Sequence, residues 1–167
     1  MATLTVTVNK KKFETRVKAL HSAVSDLRDF WRDEFAPIFF AQIQDLFTLQ
    51  GQPRGGGGRF AGGRWAPLSP RYAAWKKKAF PGMGILEATG ELRDSFRWNG
   101  SSLGPGGIFE PYEQYVLVGT SVAHAGAHQY GVKARNLPAR PFFSQPDKKI
   151  FGPMLKAWIA RQTAKAG

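Results

Sequence analysis

The sequence predicts an α+β fold in which a long N-terminal amphipathic helix packs on a small, mostly antiparallel sheet. A C-terminal helix and a long glycine-rich loop complete the predicted fold. Three observations lead to this prediction. Apolar residues recur every three or four positions in both terminal regions, which is the spacing of amphipathic helices. Short β-branched and aromatic runs lie between these regions, and glycines are concentrated within residues 50–64.

Length and composition indicate one folded domain, residues 1–167. With 43% apolar and 13% aromatic residues, the chain has enough to bury, which argues against disorder. The absence of cysteine excludes disulfide frameworks and thiolate metal sites. No apolar run approaches the roughly 20 residues that span a bilayer, and "MATLTVTVNKKKF" lacks the charge order of a signal peptide. We therefore expect a cytoplasmic protein without a membrane partner.

The first third of the chain is predicted to be mainly helical. After a short strand in "TLTVTV", an apolar stripe begins, which consists of Phe13, Val17, Leu20, Val24, Leu27, Trp31 and Phe35. Pro37 lacks an amide hydrogen and disfavours helical backbone at Ala36, so we expect a kink or break there. The helical spacing then continues to about Leu49. A stripe this rich in aromatic residues is typical of a core or a subunit interface.

Residues 50–64 read "QGQPRGGGGRFAGGR" and are predicted to form a flexible loop within the domain. Glycine loses more backbone entropy than any other residue when it becomes ordered, so this stretch does not favour regular structure. Loops of about fifteen residues inside compact domains are usually functional or disordered. The glycine-rich loop is therefore a candidate functional segment.

Helices and strands are predicted to alternate after this loop. Ser69 and Pro70 form a good N-cap and first-turn pair for a helix over "RYAAWKKKAF". Thr89 is expected to cap a short helical turn, after which "SFRW" begins a strand. "NGSSLGPGG" then supplies an antiparallel reversal into a central strand within "IFEPYEQYVLVGT", which ends at Gly119.

The C-terminal third is predicted to hold an extended segment and a final helix. The two prolines of "PARPFF" exclude a central strand, because proline cannot donate to a sheet ladder. We expect Phe142 and Phe143 to enter the core while Arg140 faces out. From Asp147 onward the apolar spacing predicts an amphipathic helix, with Pro153 as a candidate first residue.

None of the motifs for catalysis, a cofactor or a metal is complete. "GGGRFA" matches a dinucleotide-binding string, but no strand precedes it and no helix follows, and a P-loop lysine is absent. His124 and His128 stand one helical turn apart, yet Ala125 occupies the place of the glutamate of zinc proteases. We therefore expect no catalytic residue, no cofactor and no metal, and a protein that is not an enzyme.

The net charge of +12 indicates attraction to nucleic acid or to acidic protein surfaces. The "RGG" beside Phe60 is similar to arginine–glycine segments in which guanidinium groups and rings stack on bases. Such segments usually repeat, and here there is one copy. A basic nucleic-acid-binding module therefore stays open as an alternative function.

Four stretches carry a resemblance to a known family: "RWAPLSPRYAAWKKK", "GILEATGELRDSF", "YVLVGTSVAHAGAHQYG" and "NLPARPFF". In order and spacing they resemble the virion-morphogenesis or tail-completion family of tailed bacteriophages. The matching positions are Trp65, Pro67, Leu68, Tyr72, Leu86, Thr89, Gly90, Leu92, Ser95, Val116, Gly119, Thr120, His128, Gln129, Tyr130, Gly131 and Pro138 through Phe142.

The resemblance implies a non-enzymatic structural protein of the virion, which completes the tail or joins it to the head as a tail terminator or neck ring subunit. Its implied partners are tail-tube, neck or connector subunits and further copies of itself in a ring, with packaged DNA as an additional contact. It would be assembled in the host cytoplasm and located at the head–tail junction or the tail end.

We expect the glycine-rich loop to be an assembly loop whose arginines contact an acidic partner surface or DNA, with Phe60 as an anchor. The expected partner-interface residues are Arg54, Arg59, Phe60, Arg64, Trp65 and Arg140.

Overall fold

The chain folds into helices packed around one central helix and a two-stranded sheet. The computed structural model describes residues 10–51, 64–143 and 145–165. The α-helices are α1 (Lys10–Ser25), α2 (Arg28–Phe30), α3 (Ala36–Thr48), α4 (Pro70–Ala79), α5 (Glu91–Ser95), α6 (Ala125–Tyr130) and α7 (Lys148–Lys165). The other elements are a π-helical segment (Trp31–Phe35), strands β1 (Gly107–Pro111) and β2 (Val116–Thr120), and a 3₁₀ turn (Lys133–Arg135). The predicted α+β class is confirmed. The predicted strand in "TLTVTV" and residues 52–63 lie outside the described residues.

The first long helix breaks at a different place from the one predicted. Helix α1 ends at Ser25, and Asp26 then accepts a hydrogen bond from the backbone N–H of Arg28 (3.0 Å) at the start of α2. Hydrogen bonds from the Arg28 side chain and backbone hold the pKa of Asp26 at about 2. Of the kink or break predicted at Pro37, the break does not form, because Ala36 is helical (φ −58°, ψ −47°). The π-helical segment ends at Phe35, two residues before the proline. The regular helical hydrogen-bond pattern would lack a donor at Pro37, because proline has no N–H.

Helix α3 is the centre of the hydrophobic core. Its inward side chains are almost completely buried: Phe39, Phe40, Ile43, Leu46 and Phe47. Helix α7 packs on one side, where the ring of Phe151 lies 4.8 Å from that of Phe35. The sheet packs on another side, where Phe109 lies 5.8 Å from Phe40. Since burial of one such side chain stabilises the fold by about 1.5–3 kcal/mol, this aromatic core fixes the position of the surrounding elements.

The sheet is a β-hairpin, and its reversal lies later in the chain than predicted. Strands β1 and β2 are antiparallel, in a register that runs from Gly107 opposite Thr120 to Pro111 opposite Val116. The chain turns at residues 112–115, where the N–H of Tyr112 donates to the carbonyl of Tyr115 (2.8 Å). The reversal predicted at "NGSSLGPGG" was therefore wrong, because Pro111 ends its strand and splits "IFEPYEQYVLVGT" into two strands.

The strand predicted in "SFRW" does not form. Phe96 instead ends α5, and Trp98 packs its ring against Phe40 (5.7 Å) and Phe109 (5.0 Å). The aromatic and apolar character that predicted a strand therefore reflects burial between α3 and the sheet.

Helix α1 leaves part of its predicted apolar stripe uncovered. Four of its side chains are between 41% and 60% exposed: Phe13, Val17, Leu20 and Val24. Helix α1 contacts α7, but this contact buries only Ala23 of α1. The exposed stripe therefore does not belong to the core of the described chain.

Helix α7 begins directly after Asp147, where the predicted apolar spacing starts, and not at the candidate first residue Pro153. Asp147 accepts a hydrogen bond from the backbone N–H of Lys149 (2.8 Å), so the helix starts at Lys148 and includes Pro153. No helix in the described ranges is both long and apolar enough to cross a membrane.

Candidate functional site

An open groove of about 810 Å³ lies beside α4. It is lined on one side by α4 with the extended residues that precede it, and elsewhere by Leu86, Ala88 and Thr89 and by residues between His124 and Arg140. Its lining residues are Pro67, Leu68, Ser69, Tyr72, Lys76, Leu86, Ala88, Thr89, His124, His128, Arg135, Asn136, Leu137, Pro138 and Arg140. The volume is in the range of ligand-binding clefts.

The α4 wall begins as predicted and is exposed along almost its whole length. The hydroxyl of Ser69 accepts a hydrogen bond from the N–H of Tyr72 (3.4 Å), which confirms the predicted N-cap. Lys76 is the one residue of α4 that is buried, while Tyr72 and Trp75 are exposed. A helix packed on its own domain normally buries an apolar stripe. Helix α4 instead presents aromatic side chains that are about half exposed, Tyr72 (42%) and Trp75 (51%).

Lys76 is a buried cation that forms no ion pair with the described residues. The residue is only 4% exposed, and its ammonium group donates a hydrogen bond to the carbonyl of Gly84. Burial lowers the pKa of Lys76, with the nearby charges of Glu87 and Arg140 acting in opposite directions. The Glu87 carboxylate is engaged elsewhere, since it accepts from Arg93 (3.0 Å) and from the N–H of Gly84 (3.1 Å).

Arg140 is a second buried cation, and the prediction that it faces out was wrong. The residue is 3% exposed, and its guanidinium donates to the carbonyls of Ala66 (2.8 Å) and Pro67 (3.0 Å). These hydrogen bonds tie the segment that leads into α4 to the opposite wall. Burial lowers the pKa of Arg140, but a guanidinium stays protonated in proteins. No carboxylate pairs with it among the described residues.

The two histidines adjoin these cations. Their ring centroids are 5.6 Å apart, which confirms that residues 124 and 128 share one face of a helical turn. The Nδ1 atom of His128 is buried without a hydrogen-bond partner in the described chain. Burial lowers the pKa of His128 below its ordinary value, and the charges of His124 and Arg140 lower it further. No group of three or more metal-binding side chains occurs in the described ranges.

The groove therefore carries positive charge that the residues around it do not balance. Lys76, Arg135 and Arg140 line it, and no carboxylate does. Buried charges are normally paired, because removing them from water is costly. Apolar side chains such as Leu68 and Leu137 lie beside the cations. The arrangement suits a ligand that brings both a carboxylate and an apolar or aromatic group.

The side chain of Gln129 forms a clamp that supports one wall of the groove. The sequence-based predictions did not include this clamp. The side chain of Gln129 donates to the carbonyl of Phe143 (2.7 Å) and accepts from the N–H groups of Phe142 and Phe143 (both 3.1 Å). The N–H of Arg140 donates to the carbonyl of His128 (2.7 Å). The clamp therefore holds the extended residues 140–143 along α6. It also explains how Phe142 comes to be buried, as predicted.

The structure separates the predicted interface residues into two groups. Arg54, Arg59 and Phe60 lie outside the described residues, and Arg64 is exposed at the start of the second described range. Trp65 is buried against Phe47, with ring centroids 5.4 Å apart, and donates its indole N–H to the carbonyl of Pro141 (2.7 Å). Trp65 thus supports the groove wall while Arg140 lines the groove. That these residues serve a partner interface stays a prediction.

Sequence analysis did not single out Lys76, because a run such as "KKK" is typical of lysines exposed to solvent. The signal that could have singled it out is its place on α4. It lies one turn after Tyr72 on the face that both residues turn to the groove.

The comparisons with known proteins give one match. The model of the phage virion morphogenesis family matches residues 8–158. No curated protein and no solved structure matches the chain significantly. Eight of the positions that carry the resemblance line the groove: Pro67, Leu68, Tyr72, Leu86, Thr89, His128, Pro138 and Arg140.

Proposed function

Because the chain belongs to the phage virion morphogenesis family, whose members serve phage structure and assembly, we propose that it completes the tail or joins it to the head. In this proposal it is one subunit of a tail terminator or neck ring, located at the head–tail junction or the tail end. The family match over residues 8–158 is the observation that carries the proposal.

Two surfaces support a role in assembly. The groove combines unbalanced positive charge with apolar walls, which is the chemistry of a protein-binding cleft. The exposed stripe of α1 (Phe13, Val17, Leu20 and Val24) is an apolar surface of the kind that marks interaction sites. We place the protein's role in these contacts and not in catalysis.

The glycine-rich loop belongs to the same proposal. Arg54, Arg59 and Arg64 would contact an acidic partner surface or DNA, and Phe60 would anchor the loop. A segment that orders only on binding spends part of its contact energy on ordering, which keeps premature association weak.

The experiment is complementation of a phage that lacks this gene. We expect the deletion to leave heads and tails that do not form complete particles in electron micrographs, and the full-length gene to restore infectious particles. Antibody against the restored protein should label the head–tail junction or the tail end. A gene lacking codons 55–63 should give folded protein but few complete particles.

Two results would contradict the proposal. One is a deletion phage whose particles are complete and infectious. The other is a restored phage whose purified particles contain none of the protein, which would indicate a role outside the virion.

A basic nucleic-acid-binding module remains a second candidate because of one surface. The exposed face of α4 combines Arg71, Lys77 and Lys78 with the exposed rings of Tyr72 and Trp75. Basic residues interleaved with aromatic rings suit phosphate contacts and base stacking. The two functions are compatible, since a protein at a head–tail junction adjoins packaged DNA.

A further inference from the structure

We propose that the groove of one copy of this chain receives the β-hairpin tip, residues 110–115, of a second copy. This inference rests on the proposed ring function and names the contact that would build the ring. The occupant is identified by its charge, its exposed aromatic side chains and its position in the molecule.

The cations that line the groove favour a ligand that carries carboxylates. Most carboxylates of the described chain are already in ion pairs. The acidic side chains in ion pairs are Glu14, Asp26, Asp29, Asp33, Glu34, Glu87 and Asp94. Asp45 has an interaction of its own, Asp147 accepts a backbone N–H at the start of α7, and Glu91 is exposed on α5. The hairpin tip is the place in the described ranges where two carboxylates without an ion pair, Glu110 and Glu113, stand close together in sequence.

The tip also supplies exposed aromatic side chains. Tyr112 and Tyr115 are both exposed, and their rings stack with centroids 4.6 Å apart. The hydroxyl of Tyr112 donates to Glu110 (2.9 Å), which orients this carboxylate on the outer face of the hairpin. Tyrosine is among the residues that contribute most to protein interfaces, because a rigid ring buries large area at a small cost in side-chain entropy. The tip therefore matches the apolar and cationic lining of the groove.

The tip and the groove lie at opposite ends of the helical stretch from Arg28 to Thr48, which consists of α2, the π-helical segment and α3. The tip is fixed at one end, where the N–H of Leu27 donates to the carbonyl of Glu113 (2.8 Å). The side chain of Gln114 donates to the carbonyl of Ser25 (2.8 Å) at the same place. The groove is fixed at the other end, where Trp65 packs on Phe47. Twenty-one residues at about 1.5 Å each separate the two ends by about 30 Å.

This separation decides the type of association. A tip cannot reach the groove of its own chain across the length of the helix, so the contact would be made between copies. Complementary surfaces at opposite ends give a head-to-tail interface, which closes into a ring when the rotation between copies permits. The same contact without closure would give an open chain of subunits.

The experiment uses charge reversal on the full chain and sedimentation velocity at about 50 mM and about 300 mM salt. The tip variant is E110K/E113K, and the groove variant is R135E, which changes an exposed residue of the lining. We expect wild type to self-associate more weakly at the higher salt, and each variant alone to associate at least about tenfold more weakly than wild type. Mixed in equal amounts, the two variants should form at least a 1:1 dimer, because the intact tip of R135E meets the intact groove of E110K/E113K.

Matched controls change charge elsewhere. E91K reverses an unpaired carboxylate outside the tip, and K156E reverses an exposed lysine of α7. Both should associate like wild type. Circular dichroism melts of every variant report whether the fold is retained, and the mixed-variant dimer can form only if both variants are folded.

Several results would overturn the inference. These are a wild type that stays monomeric at about 1 mM, variants that associate like wild type, or a mixture that yields no dimer. Loss of association in E110K/E113K but not in R135E would show that the tip binds a different surface. Occupation of the groove by another virion protein or by DNA, seen as cross-links to Arg135 or Lys76 that exclude the tip, would also overturn it.

Failure of this inference is distinguishable from failure of the proposed function. If purified particles contain the protein but E110K/E113K still assembles into them normally, the function stands and the tip–groove contact fails. If the contact forms in solution but particles contain none of the protein, the contact stands and the function fails.

Discussion

At the scale of single residues, two side chains that sequence analysis treats as surface charge are buried. Lys76 and Arg140 both donate to backbone carbonyls, and neither has a carboxylate partner in the described chain. Burial lowers the pKa of both groups, so each charge is maintained at a cost in folding free energy. Residues that oppose stability and line a groove are candidates for binding.

Replacing Lys76 with methionine tests this interpretation. We expect the free energy of unfolding of K76M at pH 7 to equal that of wild type or to exceed it by up to about 2 kcal/mol, because a buried charge is removed. Urea denaturation measures this difference. The carbonyl of Gly84 keeps a donor in the N–H of Glu87 (3.2 Å). Because the lysine pKa is lowered in the folded state, wild type gains stability as pH rises toward 10.5, so the advantage of K76M should shrink there.

The matched control is K77M, which removes a neighbouring exposed charge and should change the free energy of unfolding by less than about 0.5 kcal/mol. A K76M protein less stable than wild type by more than about 2 kcal/mol would mean that the lysine stabilises the fold, and the interpretation would fail.

At the scale of elements, the clamp between α6 and the extended residues 140–143 holds one wall of the groove in place. The side chain of Gln129 satisfies three backbone groups at once. Gly131 follows with φ of +74° and ψ of 167°, and an added Cβ would lie 2.8 Å from the backbone nitrogen of Ala139. The motif "HQYG" therefore contributes the clamp at Gln129 and a close backbone approach at Gly131.

Replacing Gln129 with leucine should destabilise the protein by about 2–4 kcal/mol, because three part-buried backbone groups lose their partner. Urea denaturation measures the effect. The control Q114L removes hydrogen bonds to the exposed carbonyls of Val24 and Ser25, which water replaces, so less than about 1 kcal/mol is expected. Equal effects of the two substitutions would contradict the clamp.

A helix or strand could be predicted from the sequence where the residues that specify it are close together in the chain. The cap at Ser69 is local and is confirmed, and the apolar spacing of α3 and α7 places both helices correctly. The π-helical turn before Pro37 and the burial of Trp98 depend on what packs around them. Local propensity does not contain that information, so the predicted break and strand were wrong.

At the scale of the whole molecule, net charge and surface arrangement favour association with acidic surfaces. The charge of +12 acts on any polyanion, so DNA binding is expected whether or not the groove has a protein partner. The exposed basic residues of α4 are expected to dominate this binding.

Binding of random duplex DNA should weaken steeply with salt. If Arg71, Lys77 and Lys78 each contact a phosphate, R71Q/K77Q/K78Q should reduce the slope of log K against log salt by about 3. The measurement is fluorescence anisotropy with a labelled duplex between about 50 and 200 mM salt. The control K148Q/K149Q/K156Q removes the same charge from α7 and should leave most of the slope. Wild type without detectable binding at about 50 mM salt would exclude the nucleic-acid function.

The sequence by itself determined the α+β class, the central apolar helix and the family resemblance, because periodicity, caps and motif order are properties of the chain alone. Only the tertiary structure decided which side chains meet. It buried Lys76 and Arg140 in one groove, left the stripe of α1 uncovered, and placed Glu110 and Glu113 at the far end of the central helix. Burial and separation depend on contacts between residues distant in sequence, and no local pattern specifies them.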